Sequence, residues 1–224
     1  MNEDEWKAFL TEYSRELLAD ERVRRSLPPE VVESGWLGFA PAGEEEIAAA
    51  EARLGTQFPP SYRSFLRVSN GWRNASASIW KMWPGWQIAW FKERNQEWID
   101  AYLEPALEEP RPQPLSDAEY LVYGDEQDTV RYREEYLQTA LEISDRGDDA
   151  ILLLNPRTVT AEGEWEAWVF ANWYPGAVRY RSFREMMEGE RNGFRKIQEQ
   201  QKQRAQQRAK APAATTTKPW WKVW

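Results

Sequence analysis

The order of residue patterns along the chain predicts an α+β fold. Helical periodicity dominates up to about residue 107, and strand-length apolar runs bounded by Gly and Pro dominate from about residue 120 to residue 181. Aromatic residues supply 14% of the 224 positions, with 14 Trp. Each buried aromatic removes ~150–250 Å² from water, so the chain can build a substantial core.

The first helix is expected over Asp4–Leu18, because Trp6, Phe9, Leu10, Tyr13 and Leu17 form one stripe at helical spacing. Pro28-Pro29 opens a short second helix that Gly35 ends. A third begins near Gly43. Glu44, Glu45 and Glu46 suit the positive end of its dipole, Ile47, Ala50 and Leu54 form its apolar face, and Gly55 stops it. Pro59-Pro60 opens a fourth, with Tyr62, Phe65 and Leu66 facing inward and Asn70-Gly71 as its left-handed cap. Residues 72–91 read as short strands around Pro84-Gly85, rich in Trp. Residues 94–107 read as a helix carrying Trp98, Tyr102, Leu103 and Ala106, followed by a Pro-rich connection over 108–116.

Strands are then expected at Tyr120–Tyr123, Ala140–Ser144, Ala150–Leu154, Trp165–Trp173 and Val178–Arg181. The third is apolar throughout, which suits a central strand. The fourth is apolar on both faces, with Trp165, Ala167, Val169 and Ala171 on one and Trp168 and Phe170 on the other. Ser182 is a good N-cap for a long last helix, with Glu185 placed for a capping box. Phe183, Met186, Met187, Phe194 and Ile197 are its apolar face. One domain over 1–197 is therefore expected. Beyond it come a polar helical extension from 198, a linker flexible by composition over 211–217, and the Trp-rich segment Lys218–Trp224.

The chain has no Cys and no His. Disulfides, thiol nucleophiles, His general bases, Ser-His-Asp triads and Cys/His zinc sites are all excluded. The start lacks a basic region followed by an apolar one, and no run approaches ~18 apolar residues, so a cytoplasmic protein with no transmembrane segment is expected. The net charge of −8 divides unevenly: residues 190–224 carry +7 and residues 1–189 carry −15. An acidic body disfavours nucleic acid and favours a basic partner, besides aiding solubility.

Several motifs together carry a resemblance: Leu37-Gly38, Glu44-Glu45-Glu46-Ile47, Glu51, Leu54-Gly55, Phe58-Pro59-Pro60, Ser61-Tyr62-Arg63-Ser64-Phe65-Leu66 and Asn70-Gly71, then Gly147-Asp148-Asp149 and Ser182-Phe183. In these the chain resembles the SUKH superfamily (Smi/Knr-type domain) over about residues 30–190. It departs in one place. Many members carry Asp after the strand that follows the Gly-Asp turn, where this chain has Leu154-Asn155-Pro156. The resemblance implies a mixed β-sheet backed by helices and a role in binding other proteins. Bacterial relatives are largely predicted immunity proteins against toxins, many of them nucleases, and fungal relatives regulate cell-wall synthesis. The expected function is a protein that neutralises a cognate toxin, with a non-toxin regulatory adaptor or scaffold as the alternative. No enzyme, cofactor or metal is expected.

Candidate partner-binding residues follow from exposure and chemistry. Asp125, Glu126 and Asp128 lie in an acidic loop suited to a solvated turn, to the Arg and Lys groups of a partner such as a basic toxin domain, or, third in order, to a divalent cation. Trp83 and Trp86 flank Pro84-Gly85, where one or two Trp are expected at the surface and the rest in the core. Trp220, Trp221 and Trp224 lie beyond the linker with Lys218 and Lys222. Docking on the domain, on a second protomer or on a partner ranks there above contact with a membrane surface. Glu164 and Glu166, two apart, would share a strand face as a glycosidase pair requires, with nothing else supporting that use.

Overall fold

In the computed structural model, residues 1–76, 78–103 and 114–210 are described. Helix α1 (Glu3–Leu18) is followed by α2 (Glu21–Ser26), α3 (Pro29–Ser34), α4 (Glu44–Leu54) and α5 (Pro60–Val68). The two-residue strands β1 (Trp72–Arg73), β2 (Lys81–Met82) and β3 (Ala89–Trp90) come next, then α6 (Lys92–Leu103) and α7 (Asp117–Tyr120). Strands β4 (Leu141–Glu142), β5 (Ala150–Val159), β6 (Trp165–Ala171) and β7 (Ala177–Tyr180) precede α8 (Phe183–Lys210). The α+β class and the long last helix are as expected.

The sheet differs from expectation. Strands β3-β4-β5-β6-β7 lie in sequence order, and every pair among the described residues is antiparallel rather than mixed. The cause is loop length. Short turns join β4 to β5, β5 to β6 and β6 to β7, and a parallel neighbour would need a crossover of a dozen residues or more. β5 occupies the centre, as its apolar run predicts. Ala150, Leu152 and Leu154 enter one core with Trp165 and Ala167 of β6, while Ile151, Leu153, Trp168 and Phe170 enter a second. The first core is closed by α1, α4, α5 and α8, and the second by α6, Tyr120 of α7 and Leu137. The sheet is thus buried on both faces.

Local chemistry explains two other departures and the glycine at position 147. Residues 120–123 form no strand, because Ser116 accepts from the backbone of Glu119 and the Glu119 carboxylate accepts from the backbone of Ser116, a capping box that starts α7 instead. β5 runs on past Leu154 through a bulge between Asn155 and Val159. That irregularity accommodates Pro156, which has no N–H to give the ladder. The Gly147 turn needs no positive φ; that conformation falls on Asp149 at 51°. Gly147 is required by proximity, since a Cβ there would stand 2.0 Å from the Ser78 carbonyl oxygen. The expected helix beyond Leu103 and most of the Pro-rich connection lie outside the described residues, as do the linker and Lys218–Trp224.

Helix α8 is held to α1 by charge as well as by its apolar face. Glu16 accepts from Arg191 Nε at 3.0 Å and from Arg195 Nε at 3.0 Å. One helical turn past Ile197 stays attached: Gln198 donates to Asp20 Oδ2 at 2.5 Å, and Gln201 Oε1 accepts from Arg22 at 2.9 Å. The contacts of the helix with the domain therefore reach Gln201, beyond the boundary expected at 197.

Two sets of carboxylates respond oppositely to pH. Burial pushes Glu142 up to about 7, against the pull of Arg94, a hydrogen bond from Asn95 and the charge of Arg146. Burial likewise pushes Glu190 up to about 7, against a hydrogen bond from Ser76. Both bind more protons folded than unfolded between 4.5 and 7, so stability falls as pH rises through that window. Burial also pushes Glu16 up, but the hydrogen bonds and charges of Arg191 and Arg195 outweigh it and hold the group at about 2. A hydrogen bond from Arg22 leads the causes that hold Asp20 at about 2. The stabilisation from these two is present above their ordinary values and is lost as pH falls toward 2. The urea midpoint is therefore expected to decline from pH 5 to pH 7, and to decline less steeply in Glu142→Gln. Equal slopes in the two proteins would contradict the assignment to Glu142.

Candidate protein-binding surfaces

The acidic loop is an exposed turn laid along the free edge of β7. Gly124–Glu126 forms a single 3-10 turn, and Asp125, Glu126 and Asp128 are exposed. Backbone and amide groups of the loop satisfy the outer edge of the strand. Ala177 N donates to the Thr129 carbonyl at 2.9 Å, Arg179 N donates to Gln127 Oε1 at 2.8 Å, and Gln127 Nε2 donates to the Arg179 carbonyl at 3.2 Å. Asp128 Oδ1 accepts from Val130 N at 3.0 Å and Arg131 N at 3.2 Å, a side-chain turn of the kind Asp favours. Asp125 and Glu126 are thus displayed on a backbone that is bonded in place. Among the described residues no group of three or more Asp or Glu is arranged to hold a metal ion.

Beneath the loop lies a buried polar network that sequence reasoning missed. Glu166 and Arg179 are each 1% exposed. Glu166 Oε2 accepts from the Tyr120 hydroxyl at 2.6 Å and from Trp168 Nε1 at 2.7 Å, and Oε1 accepts from the Tyr123 hydroxyl at 3.0 Å and from Arg179 at 3.4 Å. Arg179 donates to the carbonyls of Tyr120 and Val122, and its guanidinium lies 4.2 Å from the Tyr120 ring centroid. Burial first, then the Glu166 charge, pushes both Tyr120 and Tyr123 well above the ordinary tyrosine range, so both phenols remain donors. The signal in the sequence was Arg179 at an inward position of β7, two residues from the buried Ala177.

The suspected Glu164–Glu166 pair is not assembled. Glu164 precedes β6, and its carboxylate accepts from Ser61 N at 2.9 Å and the Ser61 hydroxyl at 2.6 Å, at the start of α5. The two carboxylates bond elements on opposite faces of the sheet, so neither faces a shared cleft.

The Trp cluster divides as expected between core and surface, but not at Trp83. Trp72 is fully buried and Trp83 is 8% exposed, lying 4.5 Å beneath the Arg94 guanidinium. Trp83 is therefore core rather than contact surface. Trp86 is 72% exposed and Trp80 61%. Trp86 borders a small cavity of about 350 Å³ against α4, and its turn is fixed: Arg53 donates to the carbonyls of Gly85 and Ile88 at 3.0 and 2.8 Å, and Asn70 Oδ1 accepts from Gly85 N at 2.8 Å. Trp86 lies beside β3 and the acidic loop beside β7, at opposite edges of the five-stranded sheet. Four strand spacings of ~4.8 Å, roughly 19 Å, separate the two edges. Trp220, Trp221 and Trp224 lie outside the described residues.

A second opening, about 800 Å³, lies between α2, α8 and the β1–β2 ribbon, with the exposed Trp80 at its rim.

Two substitutions test this edge. Gly176 has φ of 87°, and a Cβ there would stand 1.8 Å from the Thr129 carbonyl oxygen. Gly176→Ala is expected to cost about 1–3 kcal/mol in urea unfolding, through overpacking and a strained φ. A loss under ~0.5 kcal/mol, the size of an ordinary surface change, would show that the loop does not bear on β7. Glu166→Gln leaves the Arg179 charge buried without its counter-charge and is expected to cost about 3–5 kcal/mol. An unchanged urea midpoint would refute the network as a structural device.

Comparison with known families comes from the same region. The model of the SMI1 / KNR4 family (SUKH-1) matches residues 41–189. No curated protein matches the chain. The matched stretch holds the whole sheet, the acidic loop, Trp86 and the Glu166–Arg179 network, while α1 and most of α8 fall outside it. Among the described residues no helix is long and apolar enough to cross a membrane. The match covers well over half of the 224 residues, and the chain belongs to the SMI1 / KNR4 family (SUKH-1).

Proposed function

We propose that this chain is a cytoplasmic immunity protein that binds a cognate bacterial toxin directly and blocks it without catalysis. Membership of a family whose domains typically bind protein partners supports the reading. The observation that carries it is the acidic loop: Asp125 and Glu126 are exposed on a backbone already bonded to β7, so little ordering entropy is lost on binding. The −15 balance of residues 1–189 adds a long-range field that speeds the approach of a basic toxin domain such as a nuclease. The absence of His and Cys from the sequence fits a role that asks for no general base or thiol.

Co-expression with each candidate toxin domain found encoded beside this gene is the direct test. Growth rescue by one of them, with a complex recovered from the cells, is the expected result. Failure of rescue with every neighbouring domain would sink the reading. For the complex, the association rate is expected to fall as salt rises, since exposed charges are screened over ~8–10 Å at physiological ionic strength. The variant Asp125→Asn, Glu126→Gln, Asp128→Asn is expected to slow association while stability changes by no more than ~0.5 kcal/mol. Asn at 128 still offers the oxygen that the turn uses. Association that is flat in salt and unchanged in the variant would remove the loop from the interface.

A further inference from the structure

The 800 Å³ opening is a largely apolar groove with two cations, Arg73 and Lys81, on one wall, near enough to Glu30 and Asp145 respectively for their charges to interact. Leu17, Val23, Phe39 and Phe194 contribute its apolar lining, and Ile197 on α8 is 39% exposed within it. Arg73 lies 3.8 Å from the centroid of the Phe39 ring and donates to the carbonyls of Leu37 and Gly38, and Lys81 lies 5.3 Å from the same ring. Among the described residues neither cation makes an ion pair within 4.0 Å. The groove therefore favours large apolar groups with electron-rich faces, which aromatic rings provide.

We propose that the Trp-rich segment Lys218–Trp224 of the same chain docks in this groove. Three observations converge on that occupant. First, α8 forms one wall and carries the segment: from Ile197 the helix runs thirteen residues to Lys210, roughly 20 Å at 1.5 Å per residue. Ten residue-to-residue steps lead from Lys210 to Trp220 and span up to ~33 Å when extended, so the return to the groove is within reach. Second, Trp220, Trp221 and Trp224 supply ring faces for Arg73 and Lys81, and Glu30, close enough to Arg73 for their charges to interact, offers a partner to Lys218 or Lys222. Third, tethering places the segment at millimolar effective concentration, which a free competitor rarely matches. The groove is then a self-occupied site, which any external ligand must first empty. This inference does not depend on the toxin-binding reading.

The chain lacks Cys, so a single engineered pair reports docking in the full-length protein. Ser26 lines the groove and is exposed, and Ser26→Cys with Val223→Cys is expected to form an intramolecular disulfide under mild oxidation. A control pair, Asp125→Cys with Val223→Cys, places the first thiol at the far edge of the sheet and is expected to close at least tenfold more slowly. Adding Trp220→Ala, Trp221→Ala and Trp224→Ala to the Ser26 pair is expected to slow closure at least tenfold, since the tether remains and only the docking groups are gone. Equal rates with and without the three Trp would overturn the proposal. So would a product that is mainly the disulfide-linked dimer, which would assign the segment to a second copy.

Discussion

The carboxylate of Glu166 organises one side of this molecule. A charge at 1% exposure is tolerable only if its lone pairs are filled, and four donors from three parts of the chain fill them. Two of those donors, Tyr120 and Tyr123, belong to a segment with no regular strand of its own. Arg179 adds hydrogen bonds to the carbonyls of Tyr120 and Val122, so the irregular chain from 120 to 123 is fixed from both its side chains and its backbone. The acidic turn begins at the next residue. Its position is thus set from beneath by a buried ion pair and from the side by the edge of β7. Replacing such a pair by apolar residues often stabilises a protein, so what it contributes here is a defined path for a segment that apolar packing alone would leave underdetermined.

Much of the sheet was legible in the sequence, for a clear reason. β5 and β6 are buried on both faces, so Ala150–Leu154 is apolar throughout and Trp165–Ala171 is apolar but for Glu166, and Gly and Pro lie near their ends. The helices α1, α4 and α5 were legible from their apolar stripes. At α4 the left-handed Gly55 makes the expected stop, whereas α5 ends at Ser69 in an extended conformation rather than in the left-handed Asn70-Gly71 cap expected of it. Residues 120–123 misled because Tyr and Val favour strands, while the decisive signal, Ser116 with Glu119, sits upstream and acts through two backbone N–H groups. The parallel or antiparallel character of the sheet is a matter of loop length, and the short connections between β4 and β7 decide it against the mixed sheet implied by resemblance.

The candidate surfaces were legible in composition more than in place. Three carboxylates in five residues announce an exposed turn, and Asp125, Glu126 and Asp128 are exposed. Among the tryptophans, sequence could not separate Trp83 from Trp86, since both flank Pro84-Gly85. What separates them is three-dimensional: Arg94 arrives from α6 to cover Trp83, while Arg53 and Asn70 fasten the turn and leave Trp86 outside. The groove beside α8 was invisible for the same reason, because its lining comes from segments far apart in the chain.

The bonds between the acidic turn and β7 have a further consequence. An outermost strand with free N–H and C=O groups is a template for another chain. Here Thr129 and Gln127 occupy those groups, and they do so with a backbone carbonyl and one amide side chain. Asp125 and Glu126 take no part in that closure. Their side chains are free to vary while the edge remains sealed. Charge at positions 125 and 126 can therefore change without unsealing this edge, while Gln127, Thr129 and a side-chain oxygen at position 128 must be kept.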